Sequence, residues 1–85
     1  MQKTVLLLLI STRNKNAAKV QALLSEYGCL IKTRLGLHET SEDKCSSFGF
    51  LVLELTGDMK SQETLAKKLS SLSGVSVKMQ RLKAK

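Results

Sequence analysis

The residues of this sequence that could bind a metal gather in the segment RLGLHETSEDKCSSFGF, which spans residues 34–50. It holds the single histidine of the chain, His38, and one of its two cysteines, Cys45. Structural zinc sites use Cys and His ligands at spacings such as CxxC. Cys29 lies sixteen positions before Cys45, so that spacing is absent. We therefore predict no metal ligand and no cofactor, and keep a metal sensor, with a site shared between subunits, as an alternative.

Catalysis by a nucleophile finds little support in the sequence. His38 is the single histidine that could act as a base, and no GxSxG motif presents a serine. The phosphate-binding patterns GxGxxG and GxxxxGK[ST] are also missing. We predict that the chain is not an enzyme and has no catalytic residues.

The end of the same segment, SSFGFLVL, partly matches the RNA-recognition signature [KR]-G-[FY]-[GA]-F-V-x-[FY]. Phe48, Gly49 and Phe50 fall in its register, and two bases could stack on the two rings. The basic residue, the preceding glycine and the last aromatic of the signature are missing. A single-stranded nucleic-acid binder similar to an RNA-recognition motif therefore stays as an alternative.

Composition indicates one small globular domain, residues 1–85. Hydrophobic residues make up 42% of the chain but aromatic residues only 4%, so the core must be aliphatic and stacking platforms are few. The net charge of +7 favours anionic partners such as nucleic acid, a phosphate metabolite or an acidic surface. The run at 5–10 is too short for a membrane span, and without a secretion signal we expect reduced cysteines and a cytoplasmic protein with no membrane association.

The hydrophobic pattern predicts the elements that position these residues. They are a strand at 5–10, a helix at 17–27, strands at 30–37 and 48–55, a second helix capped by Asp58 or Ser61, and a last strand with Val75, Val77 and Met79 facing one way, followed by a basic tail. Gly28 and Gly74 are predicted to end the two helices in the left-handed conformation. The β-α-β-β-α-β order predicts an α+β ferredoxin-like sandwich: a four-stranded antiparallel sheet with both helices on one face.

The first and third strands are apolar on both faces, although the helices can cover only one face. Such an exposed apolar surface usually marks an interface. We therefore predict a homo-oligomer, a dimer or a tetramer, with Leu6, Leu8, Phe48 and Phe50 at the interface between subunits.

Two short motifs, RLGLH and LSGVSVKMQRLK, carry a family resemblance. Its elements are Arg34-x-Gly36, the TGD after the third strand, and the SGVxVK junction that begins at Ser73. With the order of elements, they resemble the small ACT-like proteins described as regulators of iron-only hydrogenase systems, which are similar to the C-terminal domain of nickel-responsive repressors. The resemblance implies a non-catalytic, cytoplasmic, oligomeric regulatory or sensing protein. It does not imply a nickel site.

A small anionic ligand of such a regulator would suit the crevice formed by the STRNKN loop, where the first helix begins, the strand end at 34–38 and a neighbouring subunit. Backbone N–H groups at a helix N-terminus bind anions. We predict ligand contacts from Thr12, Asn14, Arg34 and His38.

Overall fold

The fold is a single antiparallel sheet with two helices. The computed structural model describes residues 1–11, 16–37 and 48–84. The elements are β1 (Gln2–Ser11), α1 (Ala17–Glu26), a 3-10 turn (Gly28–Leu30), β2 (Ile31–Leu37), β3 (Phe48–Leu55), α2 (Met59–Ser70) and β4 (Val75–Lys83). The strand order is β2-β3-β1-β4. The predicted α+β ferredoxin-like fold is confirmed, with β1 and β3 at the centre and β2 at an edge.

The core lies between the helices and one face of the sheet. Its fully buried members include Leu6, Leu8 and Leu53 from the sheet and Leu65 and Leu69 from α2. Side chains of a strand alternate between its two faces, and leucines at every second position of β1 therefore point towards the helices. Among the residues that the structure describes, the fully buried side chains are aliphatic and include no aromatic ring.

The prediction that Leu6 and Leu8 lie at an interface between subunits is wrong. Both side chains are 0% exposed within one chain, because they face the helices. The other side of β1 presents Val5, Leu7 and Leu9, which are partly or largely exposed. Because β1 is aliphatic at every position from 5 to 10, its sequence pattern could not show which set faces the helices.

The two helices end differently. Gly74 takes the predicted left-handed conformation, with a φ of 78°. Gly28 does not, because the chain continues from α1 into the 3-10 turn, where the Leu30 N–H donates to the Tyr27 carbonyl at 2.9 Å. At the start of α2, Asp58 is the N-cap as predicted, and its carboxylate accepts the Ser61 N–H.

Strands β1 and β4 extend further than the hydrophobic pattern predicts. β1 begins at Gln2, which lies opposite Lys83, so most of the predicted basic tail belongs to β4. Beyond this pair, the Ala84 N–H donates to the Met1 carbonyl at 2.9 Å. Backbone hydrogen bonds with a neighbouring strand extend both strands through polar residues. An apolar sequence pattern does not reveal such residues as part of a strand.

An irregularity divides β2 into two parts. Ile31 lies opposite Leu55 and Thr33 lies opposite Glu54, so Ile31 faces the helices and Thr33 faces the other side. An extra residue in β2 thus shifts the alternation of side chains between the two faces.

Neighbouring leucines of β1 provide a test of the two faces. We expect Leu8→Ala to lower the free energy of unfolding by about 3 kcal/mol, since it leaves a cavity in the core. Leu9→Ala, at a side chain that is 42% exposed, should cost less than about 1 kcal/mol. Urea unfolding at low protein concentration measures both. Equal losses for the two variants would contradict the assignment of faces.

Candidate functional site

The structure describes one of the four residues predicted to bind a ligand beside the STRNKN loop. Thr12, Asn14 and His38 lie outside the described residues. Arg34 lies on β2 opposite Leu53, and its Nη2 donates to Oε1 of Gln21 on α1 at 2.5 Å. Its guanidinium therefore links the edge strand to the first helix, and the predicted ligand contacts of all four residues stay predictions.

The beginning of α1 is fastened to the loop before β4. Asn16 occupies the N-cap position, but its side chain makes no capping hydrogen bond. Its Nδ2 instead donates to the carbonyl oxygen and to Oγ of Ser73, at 3.3 Å and 3.1 Å. Asn16 thus has a structural role in joining two loops.

The side of the sheet turned away from the helices forms an apolar surface, which we call the open face. Its described apolar residues include Val5, Leu7, Leu9, Leu35, Phe50, Val52 and Leu82, the last of which lies opposite Lys3. In the ladder, Leu7 lies between Val52 and Lys78, and Leu9 lies between Phe50 and Ser76. Leu35, on the edge strand, is 51% exposed. Large aliphatic side chains thus remain in contact with solvent in the single chain.

A shallow groove of about 190 Å³ crosses the open face between β1 and β4. It is lined by Leu7, Leu9, Phe50, Ser76, Val77 and Lys78. Phe50, predicted for the interface, therefore contributes to this surface. The side chain of Phe48 is outside the described part of the structure. The groove could receive an apolar side chain of a partner.

A second depression, which we call the polar cleft, lies at the opposite end of the sheet. It has a volume of about 240 Å³ and forms where β1 begins, β3 ends and α2 begins. The polar residues that line it are Gln2, Lys3, Thr4, Lys32, Glu54, Thr56 and Gln62. The two depressions therefore differ in chemistry: the groove is largely apolar and the cleft is charged.

A carboxylate and an ammonium group form the outer wall of the polar cleft. Nζ of Lys3 lies 2.8 Å from Oε2 of Glu54, whose Oε1 accepts the Thr33 hydroxyl at 3.2 Å. The hydrogen bond from Lys3 lowers the pKa of Glu54, and the hydrogen bond to Glu54 raises the pKa of Lys3. Both groups are thus held in their charged forms at neutral pH.

The inner wall of the polar cleft depends on a tight turn between β3 and α2. Gly57 has a φ of 84°, and a Cβ at this position would lie 2.6 Å from Cδ2 of Leu30. Gln62, which is 4% exposed, donates from Nε2 to the carbonyl oxygens of Thr56 and Gly57 at 3.1 Å and 3.3 Å. These hydrogen bonds therefore connect the turn between β3 and α2 to the beginning of α2.

No group of three His, Cys, Asp or Glu residues could hold a metal ion within residues 1–11, 16–37 and 48–84. His38 and Cys45 are outside these ranges, so the metal-sensor alternative is not tested. Cys29 is exposed and forms no disulfide with a described residue.

The described helices are also too short or too polar for a membrane. Neither α1 nor α2 could cross a bilayer.

Comparison with known families identifies the chain's relatives. The sequence matches, over residues 3–79, the family described as "TM1266-like: Iron-only hydrogenase system regulator, putative". The chain belongs to this family. The resemblance predicted from the RLGLH and LSGVSVKMQRLK motifs is thereby confirmed.

Solved structures show the same relationship. The protein TM1266 from Thermotoga maritima has a TM-score of 0.81 and 26% sequence identity, covering 98% of this chain and 100% of TM1266. No curated protein matches the sequence.

More distant structures share the fold alone. A nitrogen regulatory PII-like protein, CPII from Thiomonas intermedia K12, bound to ADP, AMP and bicarbonate, has a TM-score of 0.57 and 12% identity, covering 100% of this chain and 97% of CPII. A formyltetrahydrofolate deformylase from Pseudomonas putida KT2440 has a TM-score of 0.57 and 14% identity, covering 92% of this chain and 28% of the deformylase.

Sequence reasoning missed the polar cleft. Lys3 and Glu54 are 51 positions apart, and neither belongs to a recognised binding motif. The available signal was Glu54 itself, a charged residue that interrupts an otherwise apolar strand, followed closely by the TGD turn. A charge at such a position usually has a partner on the neighbouring strand.

The ion pair at the polar cleft predicts an unusual titration. Glu54 should titrate below the ordinary range of a glutamate, and Lys3→Gln should move its pKa back up. Because the folded pKa is lowered, the stabilisation is present at neutral pH and is lost as the pH falls through that pKa. NMR titration of the side-chain carboxyl carbon measures this. Lys19→Gln removes the same charge on α1 and is the control. A Glu54 pKa that does not respond to Lys3→Gln would contradict the ion pair.

Proposed function

We propose that this chain is a non-catalytic ACT-like regulatory or sensing protein of an iron-only hydrogenase system and that it acts as a homo-oligomer. The observation that carries the proposal is the family match over residues 3–79. The family's description as a regulator supports a role without catalysis. A cytoplasmic location is part of the proposal, because the exposed Cys29 thiol stays reduced in that compartment.

The open face supports the oligomeric part of the proposal. Its centre consists of Leu7, Leu9, Val52 and Phe50. These residues lie on the side of the sheet that the helices do not cover. Monomeric proteins rarely expose contiguous apolar surface of this kind. A second copy of the chain offers the same apolar surface, and a two-fold axis brings like patches together. We therefore propose a dimer in which two open faces pack against each other.

Electrostatics separates this proposal from the nucleic-acid alternative. Each chain carries a net charge of +7, so two copies repel one another at low salt. Salt screens that repulsion while apolar burial persists, and association of copies should strengthen as salt rises. RNA binding through the same positive charge and Phe50 would weaken instead, because releasing counterions into a more concentrated salt solution is less favourable. The two functions thus predict opposite responses to salt.

Sedimentation velocity tests the dimer directly. Raising the salt from about 0.1 M to about 1 M shortens the screening length from about 10 Å to about 3 Å, so the dimer fraction should rise. Leu7→Asp should weaken the dimer at least about 100-fold, since burying an unpaired carboxylate costs about 3 kcal/mol or more.

Two further variants control this experiment. Ala18→Asp adds the same charge to the exposed side of α1 and should leave the dimer intact. Leu35→Glu, on the exposed edge strand, repeats the test if Leu7→Asp does not fold by circular dichroism. A chain that stays monomeric at both salt concentrations would refute the oligomer. Affinity for mixed single-stranded RNA that falls with salt would favour the nucleic-acid binder.

The regulatory part is tested in the organism that encodes the chain. We expect deletion of its gene to change the amount of active iron-only hydrogenase in cell extracts, and reintroduction of the wild-type gene to restore it. The Ala18→Asp variant should restore it as well, whereas Leu7→Asp should not if the dimer is the active form. Hydrogenase activity and transcript that do not change on deletion would refute the regulatory role.

A further inference from the structure

A residue that lines the polar cleft carries a buried hydrogen-bonding atom for which the described residues provide no partner. Gln62 lines the cleft and is 4% exposed. Its Nε2 donates to the carbonyl oxygens of Thr56 and Gly57, which fixes the orientation of the amide. Its Oε1 is buried and accepts no hydrogen bond from any described residue. A buried acceptor without a donor costs about 1–3 kcal/mol, so a donor that reaches it is strongly favoured.

The cleft also carries more positive than negative charge on its lining. Lys3 and Lys32 contribute two ammonium groups, and Glu54 contributes one carboxylate that is engaged with Lys3 and Thr33. The hydrogen bond from Lys3 and, to a smaller extent, the positive charge of Lys32 lower the pKa of Glu54. Lys3, Lys32 and Glu54 therefore interact electrostatically. Asp58, at the nearby N-cap, is not part of the lining and is engaged by Ser61.

The size of the cleft limits the ligand. Its volume of about 240 Å³ is below the range of about 300–1,000 Å³ typical of drug-sized ligands. The glycine at position 57 allows the turn that lines this cleft, since its φ is 84° and a Cβ there would collide with Leu30. Few polar groups at fixed positions in a small cleft are typical of a site for a small metabolite.

From these observations we infer that the polar cleft binds a small organic anion that also carries an O–H or N–H donor. The anionic group pairs with Lys32 and Lys3, and the donor satisfies Oε1 of Gln62. The ligand thus contacts β1, β2 and α2 together, at the end of the sheet away from the groove on the open face. Its use as the effector of a regulator rests on the proposed function, whereas binding is tested separately.

Matched small molecules test this inference on the purified chain. Glycerate carries a carboxylate and two hydroxyl groups, propionate lacks the hydroxyl groups, and glycerol lacks the charge. We expect glycerate to bind at least about tenfold tighter than either, because an analogue without the donor leaves Gln62 unpaired. Glycerol 3-phosphate shows whether the anion is a phosphate. Titration followed by backbone amide NMR should shift the signals of Gly57, Met59 and Gln62.

Two variants locate the binding. Lys32→Gln should weaken glycerate at least about tenfold by removing a charge-assisted contact, whereas Lys19→Gln, with the same loss of charge on α1, should not. Gln62→Met should abolish the preference for glycerate over propionate. If Gln62→Met does not fold, the comparison of the two ligands in the wild-type chain decides.

Each outcome distinguishes the cleft from the regulatory proposal. No binding of glycerate or glycerol 3-phosphate at 20 mM, or shifts confined to residues outside the cleft, would overturn the inference. Equal effects of Lys32→Gln and Lys19→Gln would do the same. In those cases the dimer and the hydrogenase phenotype of the deletion would be unaffected, and the regulatory function would stand without this site.

Discussion

The architecture depends on a single strand, β1, whose side chains are aliphatic on both faces. It lies between β3 and β4 and supplies Leu6 and Leu8 to the core, while Leu7 and Leu9 lie on the other side. Two helices can shield one face of a sheet of this width, so burial of the first set leaves the second exposed. The same strand that stabilises the single chain therefore also leaves an apolar surface exposed.

The two ends of this strand have different chemistry. Towards its C-terminal end, Leu9 lies beside Phe50 and Ser76 in the apolar groove. Towards its N-terminal end, Lys3 pairs with Glu54 at the polar cleft. Leu9 lies six positions after Lys3, which is about 20 Å along an extended strand. The apolar groove and the polar cleft therefore lie towards opposite ends of the same strand.

The elements were predictable from sequence and the faces were not. Continuous aliphatic runs identified β1 and β3 as central strands, and the turn residues around Asp58 identified the start of α2. The two sides of β1 have the same hydrophobic character, so the residues that pack against the helices depend on register with Leu53 and Leu51 of β3. Register is set by tertiary pairing, which local patterns do not contain.

Sequence reasoning also failed where distant residues meet. The polar cleft depends on Lys3, Glu54 and Gln62, which come from β1, β3 and α2 and share no motif. The end of α1 was misjudged because a glycine is the usual helix stop, whereas Gly28 begins a 3-10 turn instead. Gly74 was correctly predicted to take the left-handed conformation, and there the chain reverses from α2 into β4.

The hydrogen bond between Ala84 and Met1 lies at the end of the β1–β4 ladder, next to the polar cleft. Gln2, Lys3 and Thr4 line the cleft and also belong to the last rungs of the β1–β4 ladder. Ladder ends open more easily than centres, so this wall of the cleft is the part of β1 most exposed to fraying. A molecule bound there by Lys3 would hold the beginning of β1 against the end of β4. Occupancy of the cleft would then appear as slower amide exchange at the ends of β1 and β4, far from the apolar groove.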